Sequence, residues 1–140
     1  SAHFLDYNTK RFRLLFDPSR YLSIDESMVK YKGRGTLKQY MPMKPIKRGF
    51  KVWVIACAVT GYCLGMFVYK GAEDKVNTNM TLGERVVHKL STVFEGFGYC
   101  LFFHNFFSSV LLAKKLLDKK LFTCGTIRQT RKLFPKHILR

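Results

Sequence analysis

Acidic residues are scarce in this sequence: nine Asp and Glu stand against 25 Lys and Arg, giving a formal net charge of +16. The solubility of a chain this basic depends on polyanions nearby, and nucleic acid is the first polyanion to consider. We therefore expect contact with nucleic acid, although runs of charge can also be ordinary solvated surface. The charge predicts no preference for a base sequence, because phosphate contacts carry no sequence information.

Paired cysteines are missing as well, because the four cysteines are the separate residues Cys57, Cys63, Cys100 and Cys124. This spacing argues against a zinc ribbon and against a thioredoxin-like redox site. Each cysteine lies in an apolar run, so we expect buried, reduced thiols in an intracellular protein. No apolar signal-peptide core is visible at the start of the sequence, so none is expected.

A long run without charge covers Val52 to Tyr69 and approaches the length of a membrane span. Thr60, Gly61 and Gly65 interrupt this run. Two strands joined by a tight turn at Gly61 explain the pattern better than one helix does. We therefore expect a β-hairpin here and no contact with a membrane.

Strands and helices alternate along the rest of the chain. Thr81 and Glu84 form a capping box for one helix, and Ser109 is a candidate cap for the next. After a first helix, the order β-β-β-α-β-α-β indicates an α/β fold, a mixed sheet with helices packed on it, for which RNase H-like is one candidate. We assign 1–20 to an N-terminal helix and linker and 21–140 to one domain. The predicted elements are a helix at Tyr7–Phe16, a strand at Tyr21–Tyr31, a basic loop at Lys32–Gly49, the hairpin, a polar loop at Gly71–Met80, a helix from Thr81, a strand at Tyr99–Phe103, a helix at Val110–Lys120 and a strand at Leu121–Ile127.

Few carboxylates are placed to hold a metal. Two-metal phosphodiester chemistry needs several carboxylates, and Mg²⁺ requires oxygen ligands. Asp25 lies on the first strand, and its neighbour Glu26 points to the opposite face. His104 follows a buried strand, where a partner carboxylate would be expected, and imidazole is a poor ligand for Mg²⁺. We interpret His104 as a partly buried histidine with a hydrogen-bond partner, in preference to a new metal ligand. The remaining candidates are interpreted as solvated charges: Glu73, Asp74, Glu84 and Glu95.

Positive charge is concentrated in two stretches that contain no acidic residue, one from Lys30 to Lys51 and one after Asp118. Tyr31, Tyr40 and Phe50 are interleaved with the first stretch. Lys and Arg gain affinity for phosphates through counterion release. The candidate nucleic-acid-binding residues are Lys30, Lys32, Arg34, Lys38, Lys44, Lys47, Arg48, Lys51, Arg128, Arg131 and Lys132.

Several pieces of the sequence, in order, resemble the catalytic domain of piggyBac transposases. The pieces are SIDESMVKYKGR at 23–34, QYMPMKPIKRGFKVWV at 39–54, LGERVV at 82–87, NFFSS at 105–109 and GTIRQTR at 125–131. Each piece alone is weak, but in series they are specific, and the likeness is closest to the vertebrate piggyBac-derived genes. The resemblance implies an RNase H-like fold and cut-and-paste DNA transposition that uses three metal-binding aspartates.

The same resemblance assigns roles to individual positions. The first aspartate falls on Asp25, whereas the second position, before the NFFSS piece, is His104. The third position lies in a later segment, beyond Arg140. Cys57 and Ala58 stand where relatives often carry an Asp. With one of three ligands present, Asp25 would be vestigial, and we expect no catalysis by this chain alone, since even about 4 kcal/mol of lost stabilisation is roughly a thousandfold in rate.

The sequence therefore predicts a domesticated, catalytically inactive piggyBac-derived domain that retains non-specific DNA binding in the nucleus. No cofactor is expected, and Mg²⁺ or Mn²⁺ would bind only if the active site were completed elsewhere. One alternative is a protein-interaction module on a degenerate transposase fold. The other is an active transposase or nuclease whose missing carboxylates come from outside this sequence. If a later segment normally covers one face of the sheet, that face would expose apolar surface here.

Overall fold

A computed structural model describes residues 2–71 and 80–135 of the chain, and over 2–6 it describes the backbone alone. The polar loop predicted after the hairpin, with Glu73 and Asp74, lies outside the described residues over 72–79. A 3-10 turn, Thr92–Phe94, continues the second helix. In chain order the elements are α1 (Ala2–Leu15), β1 (Tyr21–Lys30), β2 (Lys38–Tyr40), β3 (Arg48–Cys57), β4 (Cys63–Val68), α2 (Leu82–Ser91), β5 (Cys100–Phe103), α3 (Val110–Asp118) and β6 (Phe122–Gly125).

The six described strands form one mixed sheet in the order β2-β3-β1-β5-β6, with β4 also paired to β3. β1, β3 and β4 pair antiparallel, so they form the predicted meander. β5 runs parallel to β1, and β6 runs parallel to β5. Parallel neighbours need a crossover connection, which α3 supplies between β5 and β6. The predicted mixed sheet with helices packed on it is confirmed.

The uncharged run from Val52 to Tyr69 forms the hairpin of β3 and β4. Its turn is closed by a hydrogen bond from the Gly61 amide to the Cys57 carbonyl, 2.8 Å between nitrogen and oxygen. Gly61 has a φ of +73°, a left-handed conformation that glycine adopts without steric cost. Across the described residues, no helix has the length and apolar character needed to cross a membrane.

Besides small shifts at the ends of other elements, the sequence-based expectation missed β2 and placed the start of α1 too late. β2 lies inside the stretch predicted to be a loop, where its three residues pair antiparallel with β3. Three residues are too few to show a strand periodicity, so only the pairing with β3 makes this segment a strand. The first helix, α1, begins at Ala2, five residues before the predicted start.

All three helices pack on one face of the sheet. Side chains alternate between the faces of a strand, so Leu22 and Ile24 of β1 join the buried core while Tyr21 and Ser23 point the other way. Residues of α2 and α3 complete that core, and Phe16, just after α1, stacks on Tyr62 with ring centroids 4.4 Å apart. On the opposite face, which we call the open face, the aromatic side chains of β1, β5 and β6 remain exposed: Tyr21, Phe102 and Phe122.

Candidate functional site

Asp25 and His104 lie side by side on the open face. The parallel register pairs Ile24 of β1 with Phe103, the last residue of β5, so Asp25 and His104, which follow them in the chain, lie next to each other. His104 Nε2 is 3.6 Å from Asp25 Oδ2, an ion-pair distance when the imidazole is protonated. The other Asp25 oxygen, Oδ1, accepts a hydrogen bond of 2.8 Å from the Glu26 amide. The fold therefore unites the two positions that the sequence singled out for metal chemistry.

This pair does not offer the ligands that two divalent cations need. A cavity of about 310 Å³ beside Asp25 and His104 is also lined by Cys124 and Thr126. Within the described part of the chain, no group of three or more His, Cys, Asp and Glu side chains could hold a metal ion. Because Mg²⁺ prefers a shell of oxygen ligands, one carboxylate beside one imidazole does not fit a magnesium site.

Expectations about burial were wrong at His104, Cys124 and Glu84, among other positions. The His104 side chain is 74% exposed, because its strand has ended and its ring points to the open face. Cys124 is exposed too, since it shares that face, whereas Cys57 is buried as expected. Glu84 is only 9% exposed, because it bonds to the N-caps of two helices and is not a solvated charge.

The basic stretch predicted between Lys30 and Lys51 folds into a cleft of about 590 Å³, which we call the basic cleft. One wall is the end of β1 and the chain after it, and the other is β2, the turn that follows and the start of β3. A hydrogen bond from the Met41 amide to the Lys47 carbonyl closes that turn, with nitrogen and oxygen 2.8 Å apart. The residues that line the cleft are Lys30, Tyr31, Lys32, Lys38, Tyr40, Pro45, Ile46, Lys47 and Arg48.

Five cationic residues therefore line one concave surface, and no acidic residue is among the described residues that line it. Lys38 Nζ donates a hydrogen bond to the Gly33 carbonyl over 3.1 Å, so this ammonium already has a partner within the protein. Lys30, Lys32, Lys47 and Arg48 are exposed. An uncompensated cluster of this kind attracts phosphates by counterion release. The basic cleft is the strongest candidate for a nucleic-acid interface.

Two other residues predicted to contact nucleic acid, Lys44 and Lys51, form ion pairs with Glu26 on the helix-covered side of the sheet. Glu26 lies 3.2 Å from Lys44 Nζ through Oε1 and 3.8 Å from Lys51 Nζ through Oε2. Lys51 Nζ also stands over the Trp53 ring, 4.2 Å from its centroid. Burial lowers the pKa of Lys51, and the charge of Glu26 partly offsets that effect. Both lysines are paired with Glu26, and neither lines the basic cleft.

The remaining predicted contacts lie away from the cleft lining. Arg131 holds the segment after β5, because its Nη2 donates to the carbonyls of Asn105 and Phe106, each over 3.1 Å. Arg34, Arg128 and Lys132 are exposed but do not line the basic cleft. The structure thus divides the predicted residues into three groups: those that line the cleft, those whose side chains bind other protein groups, and exposed cations outside the cleft.

The set of candidate residues omitted two tyrosines that line the cleft, Tyr31 and Tyr40. Their signal was present in the sequence, since both are interleaved with the basic residues. The Tyr31 ring stacks on Phe50 with centroids 4.6 Å apart and planes at 27°. The Arg48 guanidinium lies over the Tyr40 ring, 5.2 Å from its centroid. The cleft therefore combines cations with aromatic faces.

Comparison with protein families shows a match to the Transposase IS4 family over residues 2–140. Human PiggyBac transposable element-derived protein 3 is 34% identical over 114 residues, which are 78% of this chain and 19% of that protein. Human PiggyBac transposable element-derived protein 2 is 32% identical over 117 residues, which are 79% of this chain and 19% of that protein. The chain thus spans about a fifth of the length of these relatives.

Among solved structures, the chain is similar to a chain in the cryo-EM structure of the piggyBac transposase synaptic complex with hairpin DNA. The two superpose with a TM-score of 0.79 and 32% sequence identity, over 89% of this chain and 26% of that chain. The predicted fold class and the resemblance predicted from the short sequence pieces are both confirmed.

Proposed function

The chain belongs to the Transposase IS4 family, as a piggyBac-type member, and on this premise we propose that it is a transposase-derived domain that binds DNA without sequence preference and does not catalyse transposition. The basic cleft is the observation that carries the proposal, because it gathers five cations on one concave surface. Phosphate contacts of this type position a protein on DNA without reading bases. The similar solved chain comes from a transposase complex with hairpin DNA, which also supports DNA as the partner.

The donor atoms at the open face support the absence of catalysis. Two-metal phosphoryl chemistry depends on carboxylates that clamp both cations. Asp25 has an imidazole, that of His104, as its close neighbour at 3.6 Å. Losing a carboxylate from such a site removes charge and geometry together, which costs several kcal/mol of barrier lowering. We therefore assign Asp25 no catalytic role in this chain and expect a nuclear, DNA-associated protein.

A titration against labelled duplex DNA at several salt concentrations tests the binding. We expect log affinity to fall linearly with log salt, with a slope near −0.9 for each phosphate neutralised. The double variant Lys32→Ala/Lys47→Ala should make that slope shallower by about two, since each lysine of the cleft accounts for about one phosphate. The matched control, Lys10→Ala/Lys114→Ala, removes the same charge from exposed positions outside the cleft and should change the slope less. Equal effects of the two double variants would place binding elsewhere on the surface.

The same titration with Mg²⁺ or Mn²⁺ added tests the proposed inactivity. We expect intact DNA after prolonged incubation. Metal-dependent nicking that Asp25→Ala abolishes would show that the chain is an active nuclease or transposase and would overturn this part of the proposal.

A second candidate function is a protein-interaction module, which the exposed aromatic side chains Tyr21, Phe102 and Phe122 favour. Contiguous exposed apolar surface often marks a protein interface. Negligible affinity for DNA, duplex and single-stranded alike, even at low salt would reject the DNA-binding proposal and leave this candidate in its place.

A further inference from the structure

The basic cleft contains more than a duplex-binding surface requires. A protein that only tracks the backbone of a duplex needs cations, because the stacked bases hide their faces from side chains. Proteins that bind single strands combine a positively charged groove with aromatic rings on which bases stack. Tyr31 and Tyr40 line the cleft together with its five cations, so both components are present in one cavity.

The Tyr31 ring is held in a fixed position. One of its faces stacks on Phe50, and its hydroxyl reaches the Arg34 carbonyl at 3.5 Å. The position of a Cβ at Gly33 would overlap the end of the Tyr31 ring, so the absence of a side chain at Gly33 makes room for this ring. A ring that is already ordered loses little conformational freedom when a base stacks on it.

Tyr40 is the more accessible ring, with 61% of the residue exposed. It lies at the end of β2, opposite Arg48 in the antiparallel register. The Arg48 guanidinium covers part of the ring at 5.2 Å from its centroid. An exposed ring beside an arginine can stack on a base while the arginine contacts the adjoining phosphate.

From this juxtaposition we infer that the basic cleft prefers single-stranded nucleic acid to duplex, with Tyr40 and Tyr31 as stacking platforms and the surrounding cations on the phosphates. The inference rests on the proposed function, because it names the form of nucleic acid that the same cleft binds. Stacking on a tyrosine tolerates any base, so the absence of sequence preference is retained. The cleft volume of about 590 Å³ sets the scale of the segment at a few nucleotides.

The test compares the affinity of the whole chain for a labelled strand of about 12 nucleotides and for the same strand annealed to its complement. Fluorescence anisotropy at fixed low salt gives both dissociation constants. We expect the single strand to bind at least about fivefold more tightly. Tyr40→Ala should weaken single-strand binding about tenfold, which corresponds to the stacking of one base, and should change duplex binding by less than about twofold.

Two further variants separate stacking from folding and from charge. Tyr40→Phe keeps the ring and should bind the single strand like the unchanged chain. Gly33→Ala leaves the charge unchanged but displaces the Tyr31 ring, so it should weaken single-strand binding and spare duplex binding. Thermal unfolding, monitored by circular dichroism, checks that each variant is folded. Because Tyr40 is exposed, we expect its substitutions to leave the fold intact.

The outcomes distinguish this inference from the function on which it rests. Equal affinity for both forms, or an equal loss of both in Tyr40→Ala, would overturn the single-strand preference while leaving DNA binding intact. No binding to either form would overturn the proposed function and the inference together.

Discussion

A single carboxylate, that of Glu84, joins the starts of two helices. Its Oε2 accepts a hydrogen bond from the Thr81 amide over 2.8 Å, which completes the capping box of α2. Its Oε1 accepts the Ser109 hydroxyl over 2.5 Å, and Ser109 in turn caps α3 through the Leu112 amide. The sequence predicted both caps separately. Only the fold shows that Glu84 connects them.

This carboxylate makes stability depend on acidity. Burial raises the pKa of Glu84, but hydrogen bonds from Ser109 and Thr81 outweigh it and hold the pKa below its usual 4.5. A carboxyl group with a lowered folded-state pKa contributes stability that is present above the unfolded pKa and is lost as pH falls through the folded pKa.

We therefore expect Glu84→Gln to lower the free energy of unfolding by about 1–2 kcal/mol at neutral pH. The deficit should shrink as the pH falls below 4.5, where the unchanged chain loses the same contribution. Urea unfolding at a series of pH values measures both effects. Asp118→Asn, which removes an exposed carboxylate from α3, is the control and should stay within about 0.5 kcal/mol. A deficit independent of pH would contradict the assignment.

At the scale of elements, α2 depends on a close approach to the segment between β5 and α3. A Cβ at Gly83 would lie 2.7 Å from the Phe106 carbonyl oxygen and 3.0 Å from the Phe107 Cα. Both neighbours are backbone atoms, so neither can move aside without shifting the chain. Phe107 packs in the core against Trp53 with ring centroids 5.6 Å apart, which fixes the position of that segment.

Gly83→Ala should for this reason destabilise the protein, although alanine is favoured over glycine in a helix interior by about 0.5–1 kcal/mol. We expect a loss of about 1–3 kcal/mol, typical of overpacking, measured by chemical denaturation. Stabilisation by Gly83→Ala would show that α2 and the segment after β5 separate easily.

The elements also show where sequence patterns succeed. The hairpin and the capped helices were predicted because glycine, β-branched residues and capping side chains act over a few neighbouring residues. β2 was not predicted, because its three residues become a strand only through hydrogen bonds to β3. Short edge strands of this kind depend on partners that are distant in the sequence.

At the scale of the whole molecule, the sheet is covered by helices on one face only among the described residues. The open face presents Tyr21 and Phe102, whose rings meet edge to face with centroids 6.0 Å apart, and Phe122 on the next strand. Exposed aromatic surface of this kind promotes association.

We expect the purified chain to self-associate through this face. The double variant Phe102→Ser/Phe122→Ser should associate more weakly. Sedimentation velocity at increasing protein concentration measures the association. Phe97→Ser, which removes an exposed aromatic ring that lies beside α1 and not on the open face, is the control and should leave association unchanged. If the unchanged chain remains monomeric at every concentration, the expected self-association is wrong.

The sequence alone determined the charge, the alternation of strands and helices, and the family resemblance, because these depend on composition and on short-range order. It also indicated Asp25 and His104 as a pair of positions, through the resemblance. Tertiary structure decided which cations act together. Lys30 and Arg48 line one cleft because the pairing of β1 with β3 brings the end of β1 beside the start of β3, whereas Lys51 is paired with Glu26 and does not line the cleft. Charge is a property of each residue, but a binding surface requires several residues to lie together. The pairing of strands that are distant in the sequence decides which residues do so.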